Sequence, residues 1–244
     1  MTAAVGAGPR RRPEHGGYAR GDEVRSRILL AAIKLFGEQG FSSASTRAIA
    51  ANAGVNPPAL QYYFHNKEGL QQACGQFIVD SIKRHLDLPM RRVSETLAAR
   101  DRARVPQTLW ALMETVVDRS SDDSEIPGWA RFLNQAAVEV ADTSVVLIHR
   151  EAVLPMCDAI AALIALAWDR PAEDEAARIA AVLLLNQTRA FGIQRDQTMI
   201  MMDWPDFEDG RLALAKTFLR SQMMSVIASP LIVSTLTAQA EPRP

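Results

Sequence analysis

The sequence is poor in the residues from which catalytic and metal sites are built. It has two cysteines among 244 residues, Cys74 and Cys157, which are far apart and lack C-x-x-C spacing. A disulfide framework or a cysteine zinc site is therefore not expected, and a reducing cytoplasm is the predicted location. Four scattered histidines and the lack of H-E-x-x-H, P-loop, G-x-S-x-G and Glu-x-x-His patterns argue against an enzyme. We predict no catalytic residue, metal or cofactor.

Long apolar runs and alternating β-branched residues are also scarce. The best candidate for a membrane span, residues 160–168, is about half as long as the roughly 18 residues that a span needs. The arginines near the N-terminus are not followed by an apolar segment, so neither a secretory signal nor a membrane partner is expected. Ala, Leu, Arg, Glu and Met are frequent instead, which favours an all-α fold of about nine or ten helices.

The net charge of −1 conceals an uneven distribution. Residues 1–92 contain 13 Lys and Arg against 7 Asp and Glu, a net of +6, whereas residues 93–244 contain 14 against 21, a net of −7. A basic N-terminal part beside an acidic remainder suggests that only the former binds a polyanion. The signal is weak by itself, because chance also produces such a split.

Changes in composition divide the chain into segments. Gly, Pro and Arg dominate the N-terminus, where the arginines at 10–12 either follow a DNA backbone or minor groove or belong to a solvated tail without specific contacts. Apolar residues at helical spacing begin near residue 20, and the predicted amphipathic helices are longer beyond residue 86. The predicted segments are a flexible basic tail at 1–19, an N-terminal domain at 20–68, a connecting fourth helix at 67–86, a C-terminal domain at 87–236 and a disordered tail at 237–244.

The N-terminal domain is predicted to contain three short helices and a glycine turn. After helix one, Ser45 can cap a second helix over 46–53, and Gly54 ends it. A third helix follows, with either Asn56 or Pro57 as its cap. Two helices joined by a short turn containing glycine form the helix-turn-helix layout, in which the second helix enters the major groove of DNA.

The same stretch resembles a known family. Residues 25–70 read RSRILLAAIKLFGEQGFSSASTRAIAANAGVNPPALQYYFHNKEGL and contain A-x-x-L-F-x-x-x-G-F, T-x-x-I-A-x-x-A-G-V and L-x-Y-x-F-x-x-K-E-x-L. These motifs are similar to the DNA-binding domain of TetR-family bacterial transcriptional regulators, and the third resembles its CerR/CecR-type subgroup. The resemblance implies an all-α homodimer whose C-terminal domain senses a small molecule and controls DNA binding, most often as a repressor.

Residue chemistry assigns candidate DNA contacts to the second and third helices. The predicted phosphate contacts, which the resemblance also implies, are Thr46, Arg47, Tyr62 and Lys67. The predicted base-reading positions are Asn56, Pro57, Pro58, Ala59 and Gln61. Gln61 can pair with adenine through two hydrogen bonds, and the prolines and the alanine can pack against thymine methyl groups. Tyr63 is equally suited to the core and to the groove. Many family members have hydrogen-bond donors where this chain has two prolines.

Candidate effector and dimer contacts lie in the C-terminal domain. The predicted lining of an apolar effector pocket consists of Trp110, Met113, Phe132, Met156, Trp168 and Phe191, although any one of these can simply be core. Asn186 and Arg189 interrupt an apolar run and can bind the effector or satisfy each other across a dimer interface. On the last helix, an apolar stripe is predicted to form the dimer interface or to cover the domain's own core: Leu212, Leu219, Met223 and Val226.

These observations predict a ligand-responsive, dimeric DNA-binding regulator in the cytoplasm. Two copies of the third helix would read a pseudo-palindromic operator, and a small, largely apolar effector would release the protein. The alternative is a DNA-binding dimer of the same fold that is controlled by a protein partner. The sequence alone leaves the operator, the effector and the choice between repression and activation open.

Overall fold

The computed structural model describes residues 16–122, 124–138, 143–206 and 209–229, and all regular structure within these ranges is helical. The predicted all-α class is confirmed. The tail predicted at 237–244 and the first fifteen residues of the tail predicted at 1–19 lie outside the described residues. The described helices are α1 Gly16–Gln39, α2 Thr46–Asn52, α3 Pro57–Phe64, α4 Lys67–Ala98, α5 Val105–Ser121, α6 Trp129–Val138, α7 Thr143–Ile148, α8 Leu154–Trp168, α9 Glu175–Arg189, α10 Arg195–Met202 and α11 Asp209–Ala228.

Two prolines explain where helix boundaries differ from the prediction. The fourth helix was predicted to end at residue 86, but α4 continues to Ala98 with Pro89 buried in its interior. A proline removes one backbone hydrogen bond without ending a long helix that is held by packing. Just before Pro155, a π-helical turn at His149–Val153 joins α7 to α8. Pro155 has no N–H donor, and it follows directly after the π-helical turn at the second position of α8.

Two hydrophobic clusters hold the described helices together. The second cluster lies wholly in the C-terminal part and is built from α4, α5, α8, α9 and α11. The first cluster joins α1–α4 to residues from much later in the chain, Ile126, Trp129, Phe132 and Ile148. The core of the N-terminal domain is therefore completed by α6 and α7, which the predicted segment boundary at 87 assigns to the C-terminal domain.

The contact between α1 and α6 is unusually close. A Cβ atom built on Gly37 would lie 2.8 Å from the backbone nitrogen of Phe132 and 3.1 Å from the carbonyl carbon of Arg131. The rings of Phe36 and Phe132 pack beside this crossing with centroids 6.4 Å apart. Glycine at position 37 therefore lets the two backbones touch, and α6 is seated directly on the N-terminal domain.

The loop before α6 is anchored to α4 by Glu125. Its carboxylate accepts hydrogen bonds from Ser81 at 2.9 Å and Arg84 at 2.7 Å, and Arg119 lies 3.6 Å away. Partial burial raises the pKa of Glu125, but the hydrogen bonds from Ser81 and Arg84 and the charges of Arg119 and His85 outweigh it, so the pKa is lowered overall. Because the pKa of Glu125 is lowered in the folded protein, this anchor stabilises the fold fully above the ordinary glutamate pKa. The stabilisation is lost as the pH falls from there through the lowered pKa.

The helix pair α7–α8 is more apolar than the run at 160–168 suggested. Thr143–Trp168 form one helical stretch of 26 residues that contains an 18-residue window with a mean hydropathy of 1.7, which is long and apolar enough to cross a membrane by length and composition alone. Sequence analysis considered only the uninterrupted apolar run at 160–168. Charged residues interrupt the apolar sequence before this run, but the helix continues through them. Core helices pass the same test, and in this protein Ile160, Leu163 and Ile164 of α8 are buried in the second cluster.

Candidate nucleic-acid interface

α2 and its turn have the geometry that the sequence predicted. The Ser45 side chain caps the helix by accepting a hydrogen bond from the Ala48 N–H group at 3.1 Å. Gly54 has a φ of +66°, a left-handed conformation that suits glycine, and the chain closes the turn when the Val55 N–H group donates to the Ala50 carbonyl at 3.0 Å. Val55 packs against the first cluster, so the turn is fixed to the core.

α3 starts at the first of its two prolines. Asn56 is the cap residue with extended backbone angles, φ −77° and ψ 148°, but its side chain makes no capping hydrogen bond. Extended geometry is what a residue before proline prefers. Pro57 and Pro58 occupy the first two helical positions, and the first donor of the helix is the Ala59 N–H group, 3.0 Å from the Asn56 carbonyl. Asn56, and not Pro57, is therefore the cap residue of α3.

The predicted DNA contacts form one exposed surface on α2 and α3. Leu60 and Phe64 point inward and are buried, whereas the Tyr62 side chain is 79% exposed. Thr46, Pro57, Pro58 and Gln61 line a shared cleft of about 370 Å³ between the two helices. The predicted residues that are exposed are Thr46, Arg47, Asn56, Pro57, Pro58, Gln61 and Tyr62, and those that are half-buried are Ala59, Tyr63 and Lys67.

Lys67 has a more structural position than the sequence suggested. Its Nζ donates a hydrogen bond to the Ser42 carbonyl at 3.2 Å and lies 4.5 Å from the centroid of the Phe41 ring. The side chain therefore ties the start of α4 to the loop before α2 while keeping its charge beside the exposed surface. Its role as a phosphate contact stays a prediction, to which the structure adds a tie between α4 and the loop before α2.

Sequence analysis did not select His65 and Asn66, which line the same cleft as Gln61. His65 has a φ of +65°, and the Asn66 side chain caps α4 by accepting from the Gly69 N–H group at 2.7 Å. The available signal was the cap pattern Asn-Lys-Glu at the start of α4. Together the two residues turn the chain sharply, so that α4 leaves directly behind the exposed face of α3.

The predicted effector residues are not gathered around one cavity. Phe132 belongs to the first cluster, and Met113 and Met156 belong to the second. The Trp168 ring nitrogen donates to the Val226 carbonyl at 3.1 Å, and Arg220 stacks over Trp110 with 5.6 Å between guanidinium carbon and ring centroid. Phe191 and Arg189 are half-buried near the end of α9. These residues therefore contribute to packing in different parts of the protein, and their role in binding an effector stays a prediction.

The structure bears on two further predictions, which concern Asn186 and the apolar stripe of α11. Asn186 was expected to be buried, but it is exposed and donates to the Val182 carbonyl of its own helix at 2.8 Å. The apolar stripe of α11 faces inward, since Leu219 and Met223 are buried and Leu212 and Val226 are half-buried. That stripe covers the protomer's own core, which was the alternative considered for it. The opposite face of α11 is the exposed one.

Metal chemistry finds no support in this arrangement. Across the four ranges that the structure describes, no group of three or more His, Cys, Asp or Glu side chains is placed to hold a metal ion. Both cysteines are buried and unpaired. Burial raises the pKa of Cys74, so that thiol remains protonated at neutral pH.

A capped α2, a glycine turn and an exposed α3 that packs against α2 and α4 define a helix-turn-helix DNA-binding protein. Residues 28–74 match the profile of the bacterial regulatory proteins of the tetR family. Over 199 residues the chain is 27% identical to the HTH-type transcriptional dual regulator CecR of Shigella flexneri, which covers 80% of this chain and 87% of CecR. Over 50 residues it is 47% identical to the HTH-type transcriptional regulator UidR of Escherichia coli K12, covering 20% of this chain and 26% of UidR.

Solved structures share the whole fold. A transcriptional regulator from Rhodococcus sp. Rha1 matches with a TM-score of 0.56 and 19% identity, covering 82% of this chain and 96% of that one. A TerR/AcrR-family regulator from Aquifex aeolicus VF5 matches with a TM-score of 0.50 and 15% identity, covering 83% and 99%. At these identities the structures show the fold alone. Residues 28–74 therefore match the DNA-binding domain of TetR-family regulators, and the similarity in sequence and in fold to transcriptional regulators extends over most of the chain.

Proposed function

We propose that the protein is a homodimeric regulator that reads a pseudo-palindromic DNA site with two copies of α3 and leaves it when a small molecule binds. The observation that carries the DNA part is the exposed surface of α2 and α3, in which Gln61 and Tyr62 project outward from a helix fixed by buried Leu60 and Phe64. A helix held rigidly with polar groups on its free face is what major-groove reading requires.

Within that surface we assign two tasks. Thr46, Arg47, Tyr62 and Lys67 contact phosphates and set the register of the protein on DNA. Gln61 reads a base edge, and Asn56 at the cap position of α3 supports it with a second amide. Pro57, Pro58 and Ala59 offer carbon surface that matches thymine methyl groups. Tyr63, which is half-buried, belongs mainly to the packing of α3.

An apolar face that the protomer leaves uncovered supports the proposed dimer. Ile179, Val182 and Leu183 are exposed on α9, and Leu214, Phe218 and Met224 are exposed on α11, which packs beside it. Thr217, Ser221 and Ser225 line a groove of about 660 Å³ along α11, where small side chains allow another helix to approach. A second copy turned by a two-fold axis would cover these residues and form a four-helix bundle.

The effector response and the direction of regulation are proposed on the strength of the family. Because the similar proteins are bacterial transcriptional regulators, we place this protein in the cytoplasm, where the chromosome lies. A second candidate, control by a protein partner, is favoured by α10, where Ile200 and Met201 are 81% and 84% exposed. Side chains of this kind in water mark a surface that a partner protein can cover.

Selection of bound fragments from a random DNA pool tests the proposal directly. We expect enrichment of an inverted repeat whose half-sites are separated by about 10–10.5 base pairs or a multiple of it. Binding to the selected site should weaken steeply with salt because phosphate contacts release counterions. Failure of well-folded protein to enrich any sequence would reject DNA reading, and enrichment of an isolated half-site would reject the dimer.

A further inference from the structure

The first half of α1 carries two arginines without an ionic partner. Arg25 and Arg27 are exposed, and neither takes part in an ion pair among the described residues. The ion pairs of the described ranges join side chains at residue 83 and beyond. Asp22 and Glu23 precede the two arginines on α1, but they are exposed and do not pair with them either. Both guanidinium groups can therefore bind an anion without breaking an ion pair.

Side-chain contacts place the two arginines at opposite ends of α3. The guanidinium carbon of Arg25 lies 5.4 Å from the ring centroid of Phe64, the last residue of α3. A terminal nitrogen of Arg27 lies 3.8 Å from the position that a Cβ atom would take on Gly54, in the turn that leads into α3. Residues two apart on an α-helix point about 200° apart, so one helix can reach toward both ends of α3.

The start of α3 needs donors that its own backbone lacks. Pro57 and Pro58 have no N–H groups, and so the first turn of α3 cannot anchor a phosphate through them. The Ala59 N–H group is already used by the Asn56 carbonyl. Arg27 lies beside the turn before these prolines, and its five N–H donors make no hydrogen bond within the described residues. It can supply the donors that the first turn of α3 does not.

α1 holds its arginines in a fixed position relative to α3. Ile28 and Leu29, which directly follow Arg27, are buried in the first cluster together with Leu60 of α3. An arginine on a helix that is fixed in this way loses less conformational freedom on binding than one on a mobile segment. The backbone of α1 therefore keeps the two guanidinium groups close to the reading helix.

We propose that α1 is a third DNA-contacting element, in which Arg25 and Arg27 each bind a phosphate beside one end of α3. When α3 enters the major groove, phosphate backbones run along both sides of it, and cations at its two ends meet them. A guanidinium group binds a phosphate through two parallel hydrogen bonds. These contacts set the register of the protein on DNA and carry no sequence information. The inference rests on the proposed DNA reading and adds contacts outside α2 and α3.

The salt dependence of DNA affinity tests both contacts. Arg25→Gln and Arg27→Gln proteins are titrated with a selected DNA site and with a duplex of unrelated sequence at several salt concentrations. Each substitution should lower the affinity for both duplexes by about three- to tenfold at about 0.1 M salt, because a phosphate contact is lost. The slope of log affinity against log salt should become shallower by about 0.9 for each protomer bound. Arg27→Lys keeps the charge and should keep the wild-type slope.

Lys34→Gln is the matched control. Lys34 is an exposed cation on the same helix, but its Cα lies 3.4 Å from a Cβ position on Gly128, on the side of α1 that faces the loop before α6. Its loss changes the net charge equally and should leave the slope as in wild type, and urea unfolding verifies that every variant is folded. An arginine variant whose affinity and slope match those of Lys34→Gln overturns the contact assigned to that arginine, while DNA reading stands. Absence of wild-type binding to both duplexes contradicts the proposed function, and the inference with it.

Discussion

Two prolines make the start of α3 rigid and poor in donors. Pro57 and Pro58 have no N–H groups, and their fixed φ angles hold the first turn in helical form. The first backbone donor, at Ala59, is already used by the Asn56 carbonyl. Phosphate contacts from this turn must therefore come from side chains, and the base-facing surface is largely carbon. We expect selected DNA sites to contain thymine where that surface lies.

Replacing Gln61 by alanine should affect DNA binding in a different way from replacing Lys67 by alanine. Gln61→Ala should relax the preference at one base pair by about 1–3 kcal/mol, because we propose that the Gln61 amide reads a base edge. Lys67→Ala should weaken all sequences alike, because it removes both a charge and the tie to Ser42. Competition binding against single-base variants of a selected site measures both effects.

Gln107→Ala serves as the control for this pair, since Gln107 is exposed on α5 and belongs to no predicted DNA contact. It should leave affinity and preference unchanged. If Gln61→Ala and Lys67→Ala lowered affinity equally across all sequences, the division between base reading and anchoring would be wrong.

At the scale of helices, α6 belongs to the N-terminal core as much as to its own domain. The crossing at Gly37 brings the α1 and α6 backbones into contact, and Glu125 anchors the loop that leads into α6. Both devices hold α6 in one position relative to α1 and α4. Any change that shifts α6 must either break the Glu125 anchor or open the glycine contact.

Gly37→Ala should destabilise the protein. The added Cβ would meet backbone atoms of α6 that cannot rotate away, and overpacking of this kind costs about 1–3 kcal/mol, more than the roughly 1 kcal/mol that alanine gains in helix propensity. Urea unfolding measures the change. Gly210→Ala is the matched control, because a Cβ there meets nothing within 4 Å, and it should be neutral or slightly stabilising. Equal stability of the two variants would show that the α1–α6 contact yields easily.

The sequence predicted local elements better than contacts between distant ones. The α2–turn–α3 unit was readable because its cap, its glycine and its buried anchors lie within about twenty residues. The association of Phe132 with Phe36 joins residues far apart in the chain, and no periodicity encodes it. α11 is apolar on both faces, so its pattern could not tell which face meets its own domain and which is exposed. Asn186 was expected to be buried because its neighbours Val182 and Leu183 are apolar. These two neighbours are themselves exposed, so their apolar character did not indicate burial.

At the scale of the whole molecule, the exposed face of α9 and α11 should determine assembly. Leu183→Glu should weaken dimerisation about 100-fold or more, because a symmetric interface carries the change twice and an unpaired buried carboxylate is costly. Sedimentation measures the dimer. Leu88→Glu is the control, since Leu88 is similarly exposed on α4 and lies off this face. A Leu183→Glu protein that remained fully dimeric at micromolar concentration would place the interface elsewhere.

The sharing of one core between α1–α4 and α6 limits how regulators of this build can exchange parts. In a chimaera of two such regulators that is joined within α4, α1 would pack against an α6 from the other protein, although the exposed surface of α2 and α3 would be unchanged. Phe132 and Trp129 would then be replaced by side chains that did not evolve beside Gly37. Recombination between two such regulators, in nature or in the laboratory, should therefore succeed most often when the residues around this crossing are inherited together with the DNA-reading helices.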